Sequence, residues 1–198
     1  MLKNTILLMF IALSASLITA SSYAKGPGDK AEDFTLTGID GSSYNLSGAL
    51  ENSKNGVIVI FWSTECPWVQ PYNDRINDYI KDMNNKGFTV WGINANNTES
   101  LDDVKVHAKK NSYEFPMLKD IGNTVADMLG ATRTPEAYMI AKDKTILYHG
   151  RISDNRYKAE EKSNDLGNAA ADVSLGKEVA VKETKSFGCG IKKDGQDN

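Results

Sequence analysis

Residues 56–62 form an unbroken run of β-branched and aromatic side chains, GVIVIFW. A strand buried on both faces of a sheet has this composition, because neither face meets water. Residues 67–85 then carry apolar side chains at helical spacing, and a second run of the buried-strand type follows at residues 88–94. A strand, a helix and a second strand in this order predict a parallel pair. The chain is therefore expected to adopt an α/β fold.

Shorter patterns predict the elements around this unit. Residues 34–46 alternate around Asp40-Gly41, which indicates an N-terminal hairpin. Two strands joined by a three-residue turn close the sheet, so its end is expected to be antiparallel. The sequence thus predicts a central mixed sheet flanked by helices, followed by an extended C-terminal tail. The further predicted elements are helices at 99–110, 124–129 and 164–175, and strands at 136–141 and 145–151.

Composition excludes several classes of protein. The chain has 198 residues, 40% of them apolar, which is enough for one domain with its own core. Its formal net charge is -3 and no basic block is present, which disfavours a nucleic-acid partner. The two cysteines are too few for a disulfide scaffold or a thiolate zinc site. We expect no metal and no cofactor.

The first 24 residues have the pattern of an export signal. Lys3 is their only charge, residues 6–20 are mainly apolar, and Ser22 and Ala24 are small residues before a cleavage point. The expected organisation is a signal peptide at 1–24, an α/β domain at 25–156, and a C-terminal helix and tail at 157–198 packed on that domain. The mature protein is expected in the periplasm or outside the cell, without stable insertion in a membrane after cleavage. Thiols can oxidise there.

Cys66 is the main candidate for chemistry. It follows the buried run closely and precedes Pro67, which suits the first position of a helix. Free N–H groups and the positive end of a helix dipole favour a thiolate over a thiol at such a position. Glu65 is expected to be a solvated loop charge that opposes this effect, with a role as a proton shuttle as the alternative.

These residues resemble the thioredoxin superfamily. The likeness rests on the hairpin, on the spacing of Phe61 and Trp62 before Cys66, and on residues 133–138, RTPEAY, before a strand. The resemblance implies a thioredoxin-like fold in which Pro135 is cis and packs beside the reactive sulfur. It also implies that the backbone of Thr134 is free to pair with a substrate segment. Trp68, next to the cysteine, is expected to contact a partner.

A closer resemblance is to exported redoxin-domain proteins of the peroxiredoxin-like AhpC/TSA type. It rests on residues 66–76, 130–135, 148–152 and 187–192. Val69 stands where thioredoxins have their second cysteine, so a local dithiol is impossible. The peroxidase pattern is matched by Ser63 but not by Val59, which replaces its proline. Arg133 is the candidate for the arginine that stabilises a peroxidase thiolate, or forms a surface salt bridge.

Cys189 lies between two glycines in the tail, and an even cysteine count in an exported protein favours pairing. One reading makes Cys189 the thiol that resolves a mixed disulfide or sulfenic acid on Cys66. The other makes it half of a permanent bridge that holds the tail, stabilising the chain by about 4–5 kcal/mol.

Three functions remain open on this basis. The preferred one is a thiol-disulfide oxidoreductase with Cys66 as nucleophile and Cys189 as candidate resolving thiol. The second is a thiol peroxidase using the same cysteines, and the third is a non-catalytic binding module with a structural disulfide. The expected partners are protein thiols, protein disulfides or peroxide, together with an external thiol reductant.

Overall fold

The structure is a computed structural model that describes residues 24–193. The predicted signal peptide therefore lies, except for Ala24, outside the described residues. Among the described residues no helix is long and apolar enough to cross a membrane.

Nine strands and five α-helices make up the described chain. The strands are β1 (Thr35–Gly38), β2 (Ser43–Asn45), β3 (Gly56–Phe61), β4 (Phe88–Asn94), β5 (Met117–Lys119), β6 (Arg133–Thr134), β7 (Glu136–Ile140), β8 (Ile146–Gly150) and β9 (Cys189–Gly190). The helices are α1 (Leu46–Asn52), α2 (Ile76–Asn85), α3 (Leu101–Lys110), α4 (Thr124–Leu129) and α5 (Asp165–Ser174).

Seven strands form a mixed sheet in the order β2-β1-β5-β4-β3-β7-β8. The pairs β3–β4 and β4–β5 are parallel, as the predicted strand-helix-strand unit requires. The hairpin β1–β2 and the closing pair β7–β8 are antiparallel, which confirms both predicted ends of the sheet. Strand β3 is interior, between β4 and β7, and β4 is the middle strand of the seven.

Side chains of β3 alternate between two apolar cores. Ile58 and Ile60 face one core, and Val57, Val59 and Phe61 face the other. Helices α2, α3 and α5 contribute to the first core, and α1 and α4 to the second. Burial on both faces explains why this strand contains only apolar residues after its glycine.

Helix α1 is an element that the sequence pattern did not predict. Its seven residues follow β2 directly, and the Asn45 side chain caps it by accepting a hydrogen bond from the Gly48 N–H at 2.9 Å. A helix of two turns has too few apolar positions for a clear period, so its capping residue was the only local signal.

Candidate functional site

Cys66 lies in the turn that follows β3, with its side chain in the core shared with α2. Only 2% of the residue is exposed. Its carbonyl oxygen accepts hydrogen bonds from the N–H groups of Val69, at 2.9 Å, and Gln70, at 3.3 Å. The thiol is therefore held in a tight turn rather than displayed on the surface.

The helix predicted to start at Pro67 begins later. Residues Gln70–Tyr72 form a 3-10 turn, and the α-helix starts only at Ile76. The cause is Pro71, which has no N–H to donate to the carbonyl of Pro67 and whose ring would clash with that carbonyl in an α-helix. The Pro67 carbonyl instead accepts from Arg156 at 3.4 Å. The expected alignment of a long helix dipole on Cys66 is therefore wrong.

The peptide bond between Thr134 and Pro135 is cis and lies beside the cysteine. The Cys66 thiol donates a hydrogen bond to the Thr134 carbonyl oxygen, with 3.1 Å between sulfur and oxygen. Two residues separated by 68 positions in sequence are thus in direct contact. This is the arrangement that the resemblance to thioredoxins implied for Pro135.

The backbone of Thr134 is not free, contrary to expectation. Strand β9 pairs antiparallel with β6, which sets Cys189 opposite Thr134 and Gly190 opposite Arg133. The Ile191 N–H also donates to the Thr132 carbonyl at 2.9 Å. The tail of the chain therefore occupies the edge that was predicted to receive a substrate.

This pairing brings the second cysteine to the first. The side chain of Cys189 lies near that of Cys66, and both are thiols in the structure. Burial, followed by the contact with Cys66, raises the pKa of Cys189 from 9.0 to about 11. The backbone N–H of Trp68 acts in the opposite sense and lowers the pKa of Cys189. Cys189 therefore keeps its proton at neutral pH.

The raised pKa of Cys189 gives a testable pH dependence. In the reduced protein the rate of Cys189 alkylation by iodoacetamide should keep rising up to about pH 11, because only the thiolate reacts. Peptide mass spectrometry after quenching separates the two cysteines. In a Cys66→Ser protein the midpoint should move to lower pH, since the contact with the Cys66 sulfur is lost. A plateau near pH 9 in the unaltered protein would contradict the assignment.

Trp68 lies against the tail. Its ring centroid is 5.3 Å from that of Phe187, and the Arg156 guanidinium lies over the Trp68 ring, 4.4 Å from its centroid. These three side chains line a surface pocket of about 320 Å³. The contact predicted between Trp68 and a partner is thus made by a residue of the same chain.

The remaining predicted residues have varied positions. The Ser63 hydroxyl donates to the buried carboxylate of Glu99 at 2.6 Å. Glu65 and Pro67 are exposed, which for Glu65 agrees with a solvated charge. Arg133 is also exposed, and its guanidinium donates to the Gly188 carbonyl at 3.1 Å. Ser63 and Arg133 therefore hold the turn and the tail respectively.

Glu99 is a site residue that the sequence prediction did not include. It is 1% exposed, and its carboxylate accepts from the Thr64 N–H at 2.6 Å and the Asn94 side chain at 2.7 Å, in addition to Ser63 and Asn96. Burial alone would raise the pKa of Glu99, but the hydrogen bonds from Ser63, Thr64 and Asn96 outweigh it and lower the pKa. The polar residues directly after β4 were the available signal, because parallel strands β3 and β4 end at the same edge.

Glu136 supports the other side of the site. Its Oε2 accepts from the N–H groups of Thr132 and Arg133, both at 2.9 Å, and its Oε1 lies 2.6 Å from His149 Nε2. The second histidine, His107, contacts the Tyr113 hydroxyl at 3.1 Å. Within residues 24–193 no cluster of three or more potential ligands is arranged to hold a metal ion.

Comparisons with known proteins agree with this geometry. Residues 27–149 match the model of the AhpC/TSA family. The chain belongs to this family. Its fold is thioredoxin-like, with the mixed sheet and flanking helices predicted from the sequence.

Two curated relatives and one solved structure illustrate the likeness. Thiol-disulfide oxidoreductase ResA of Halalkalibacterium halodurans is 26% identical over 120 residues, which is 61% of this chain and 65% of ResA. The chain thus spans just under two thirds of that relative's length. Alkyl hydroperoxide reductase C of Helicobacter pylori is 31% identical over 145 residues, 63% of this chain and 69% of the relative. A hypothetical protein of Sinorhizobium meliloti is 30% identical, with a TM-score of 0.78 and coverage of 88% of this chain and 98% of the other.

Proposed function

We propose that the protein is a thiol-disulfide oxidoreductase whose redox couple is Cys66 and Cys189. The observation that supports this most directly is the pairing of β9 with β6, which brings the two thiols close together although they are 123 positions apart in sequence (189 − 66). The similarity to ResA supports the same reaction class.

In the proposed reaction the Cys66 thiolate attacks a disulfide of the substrate and forms a mixed disulfide. Cys189 then attacks the Cys66 sulfur, so that the Cys66–Cys189 disulfide forms and the substrate leaves as a dithiol. The raised pKa of Cys189 keeps its thiol protonated at neutral pH. In this proposal the first attack is therefore made by Cys66.

The surrounding residues have supporting roles in this proposal. Thr134 and Pro135 form the edge next to the reactive sulfur, and Trp68 provides an aromatic contact beside it. Ser63 and Pro67 shape the turn that holds Cys66, while Arg133 holds the tail. Glu65 contributes a solvated charge next to the cysteine.

We further propose that the protein works outside the cytoplasm, in the periplasm or as a secreted protein. Support comes from the single charge, apolar run and small residues within residues 1–24. A disulfide between Cys66 and Cys189 would persist there. Protein thiols or disulfides and an external thiol reductant are the proposed partners.

An equilibrium titration in glutathione redox buffers tests the couple. Mature protein is quenched by alkylation at each ratio, and intact mass reports the number of free thiols. We expect one Cys66–Cys189 bridge with a potential above about −300 mV, because such a bridge can cycle. A bridge below that value is structural and would favour a binding module, and the absence of any bridge would remove Cys189 from the mechanism. The Cys189→Ser protein is the control for the assignment of the bridge.

Peroxide reduction is a second candidate, favoured by the similarity to alkyl hydroperoxide reductase C. Cys66 would attack the peroxide and become a sulfenic acid, which Cys189 would convert to the disulfide with release of water. Against it, Val59 is buried in β3 in place of the pattern's proline, and the Ser63 hydroxyl is bound to Glu99. Cys66-dependent consumption of hydrogen peroxide in the presence of a thiol reductant would select this reaction.

A further inference from the structure

We propose that residues 186–192, called here the tail segment, are a built-in substrate segment. The backbone of residues 132–134, called here the 132–134 edge, binds either the tail segment or an extended, cysteine-bearing segment of a partner protein, and the two replace each other. This rests on the proposed function and adds a regulation of its site: the edge that the family resemblance implies for substrate is closed by the tail segment, with Cys189 opposite Thr134, until that segment leaves.

The tail segment fills the edge as a bound peptide would. It runs antiparallel to β6, and main-chain hydrogen bonding extends from Cys189 opposite Thr134 to Ile191 on Thr132. Recognition by strand addition uses such main-chain bonds for affinity and side-chain contacts for specificity. Phe187 supplies one side-chain contact, with Trp68. Ile191 supplies another, because its side chain packs in the core and the residue is only 6% exposed.

These contacts hold the tail segment without a disulfide. The Lys192 N–H donates to the Asn96 side chain, and the Lys192 carbonyl accepts from the Asn97 N–H, both at 2.9 Å. Both cysteines are thiols in this arrangement. In the dithiol protein the segment is therefore bound by reversible contacts, and it can leave.

Only one segment fits on the edge at a time. At Gly188 the tail backbone has φ of 151° and approaches so closely that an added Cβ would lie 2.0 Å from the Thr134 carbonyl oxygen. Cys66 beneath it is 2% exposed. A partner cysteine can therefore reach Cys66 along this edge only where the tail segment has moved away.

The exchange of thiols and the exchange of segments on the 132–134 edge then occur as successive steps of one reaction. With the tail segment displaced, the Cys66 thiolate attacks the partner's disulfide, a mixed disulfide forms, and the partner's other sulfur leaves as a thiolate that takes a proton. The tail segment returns and displaces the partner strand, and the Cys189 thiolate attacks the Cys66 sulfur. The Cys66–Cys189 bond forms and the partner's second sulfur leaves and is protonated. Two protons and two electrons pass from the cysteines to the partner.

Substitutions at Gly188 and Gly190 test the displacement. Alanine at 188 would collide with the Thr134 carbonyl, a backbone atom that cannot turn away, whereas alanine at 190 would meet only the Thr132 carbonyl at 4.0 Å. Both changes are made in the full chain carrying Cys189→Ser, so that Cys66 alone reacts. The probes are a peptide with the sequence of residues 186–192, activated at its cysteine with thionitrobenzoate, and cysteamine activated in the same way. Release of thionitrobenzoate gives the rate.

We expect Gly188→Ala to raise the rate with the peptide at least about tenfold over Gly190→Ala, and to raise the cysteamine rate much less. Ile191→Asp, which removes the apolar contact at the other end of the tail segment, should raise the peptide rate as Gly188→Ala does. Agreement between the two variants, together with circular dichroism of each protein, excludes a folding defect as the cause. Equal peptide rates for Gly188→Ala and Gly190→Ala would overturn the proposal. An equal rise for peptide and cysteamine would also overturn it, because the edge would then bind no peptide. This single reaction requires neither Cys189 nor catalytic turnover. A negative result therefore contradicts the exchange of segments without contradicting the Cys66–Cys189 redox couple, which the glutathione titration tests.

Discussion

Replacing Cys66 by serine should abolish reduction of disulfide substrates, with a fall in turnover of at least about a thousandfold. Cys66 supplies the atom that attacks in the first step, and a hydroxyl in the same turn is not ionised at neutral pH. The measurement is the rate of reduction of a peptide disulfide with a thiol reductant in excess. The fold should survive, because serine is smaller and can still donate to the Thr134 carbonyl.

Cys189→Ser is the informative comparison. The first step remains possible, so this protein should accumulate a mixed disulfide between Cys66 and the substrate, visible as an adduct by intact mass. Glu114→Gln, at an exposed carboxylate in the loop before β5, is the control and should keep turnover within about twofold. Substantial turnover by the Cys66→Ser protein would refute the proposed mechanism, and a large loss of thermal stability with unchanged turnover in Cys189→Ser would assign Cys189 a structural role.

The parts of the site that could be predicted are those with a local signal. Cys66 follows an apolar run whose burial requires a strand, and Thr134-Pro135 precedes another such run. Each residue could therefore be placed at the end of a strand from neighbours within a few positions. The prediction of a long helix directly after Cys66 was wrong. The helical spacing of apolar residues extends to both sides of Pro71, but proline has no N–H and interrupts the α-helical hydrogen bonds there.

Docking of the tail could not be predicted, because its contacts are long-range and its strand is short. Strand β9 has two residues, too few for any hydrophobic period, and Arg133 reaches Gly188 across 55 positions. Glycines on both sides of Cys189 permit a close backbone approach to another surface, and the structure identifies that surface as the 132–134 edge. The sequence therefore indicated that the two cysteines pair, but not which surface brings them together.

Glu99 links the turn before Cys66 to the tail. Its carboxylate accepts from Ser63 and Thr64 on one side and from Asn96 on the other, and Asn96 in turn accepts from the Lys192 N–H. Glu99 thus positions both the turn that carries Cys66 and the tail that carries Cys189, although it contacts neither cysteine. Removing this carboxylate should affect stability more than any other single change at the site.

Glu99→Ala should lower the free energy of unfolding by about 3–5 kcal/mol, because four buried donors lose their acceptor and each unsatisfied group costs about 1–3 kcal/mol before water and relaxation offset part of the loss. For a chain of this size that corresponds to a fall in Tm of about 10 °C by calorimetry. Glu65→Ala, two positions past Ser63 but exposed, is the matched control and should change stability by no more than about 0.5 kcal/mol. Equal Tm values for the two proteins would contradict the role of Glu99.

The pH dependence of Glu99→Gln separates the charge of this carboxylate from its shape. Hydrogen bonds hold the pKa of Glu99 below its usual 4.5, so its carboxylate stabilises the fold above that pH, and the contribution is lost as the pH falls through the lowered pKa. The unaltered protein should therefore be more stable than Glu99→Gln at pH 7, and the difference should shrink steadily below about pH 4.5. Urea unfolding at several pH values measures it. If the difference in free energy of unfolding stayed constant down to acidic pH, Glu99→Gln would destabilise the protein through packing alone. The charge of the carboxylate would then have no part in holding the turn and the tail together.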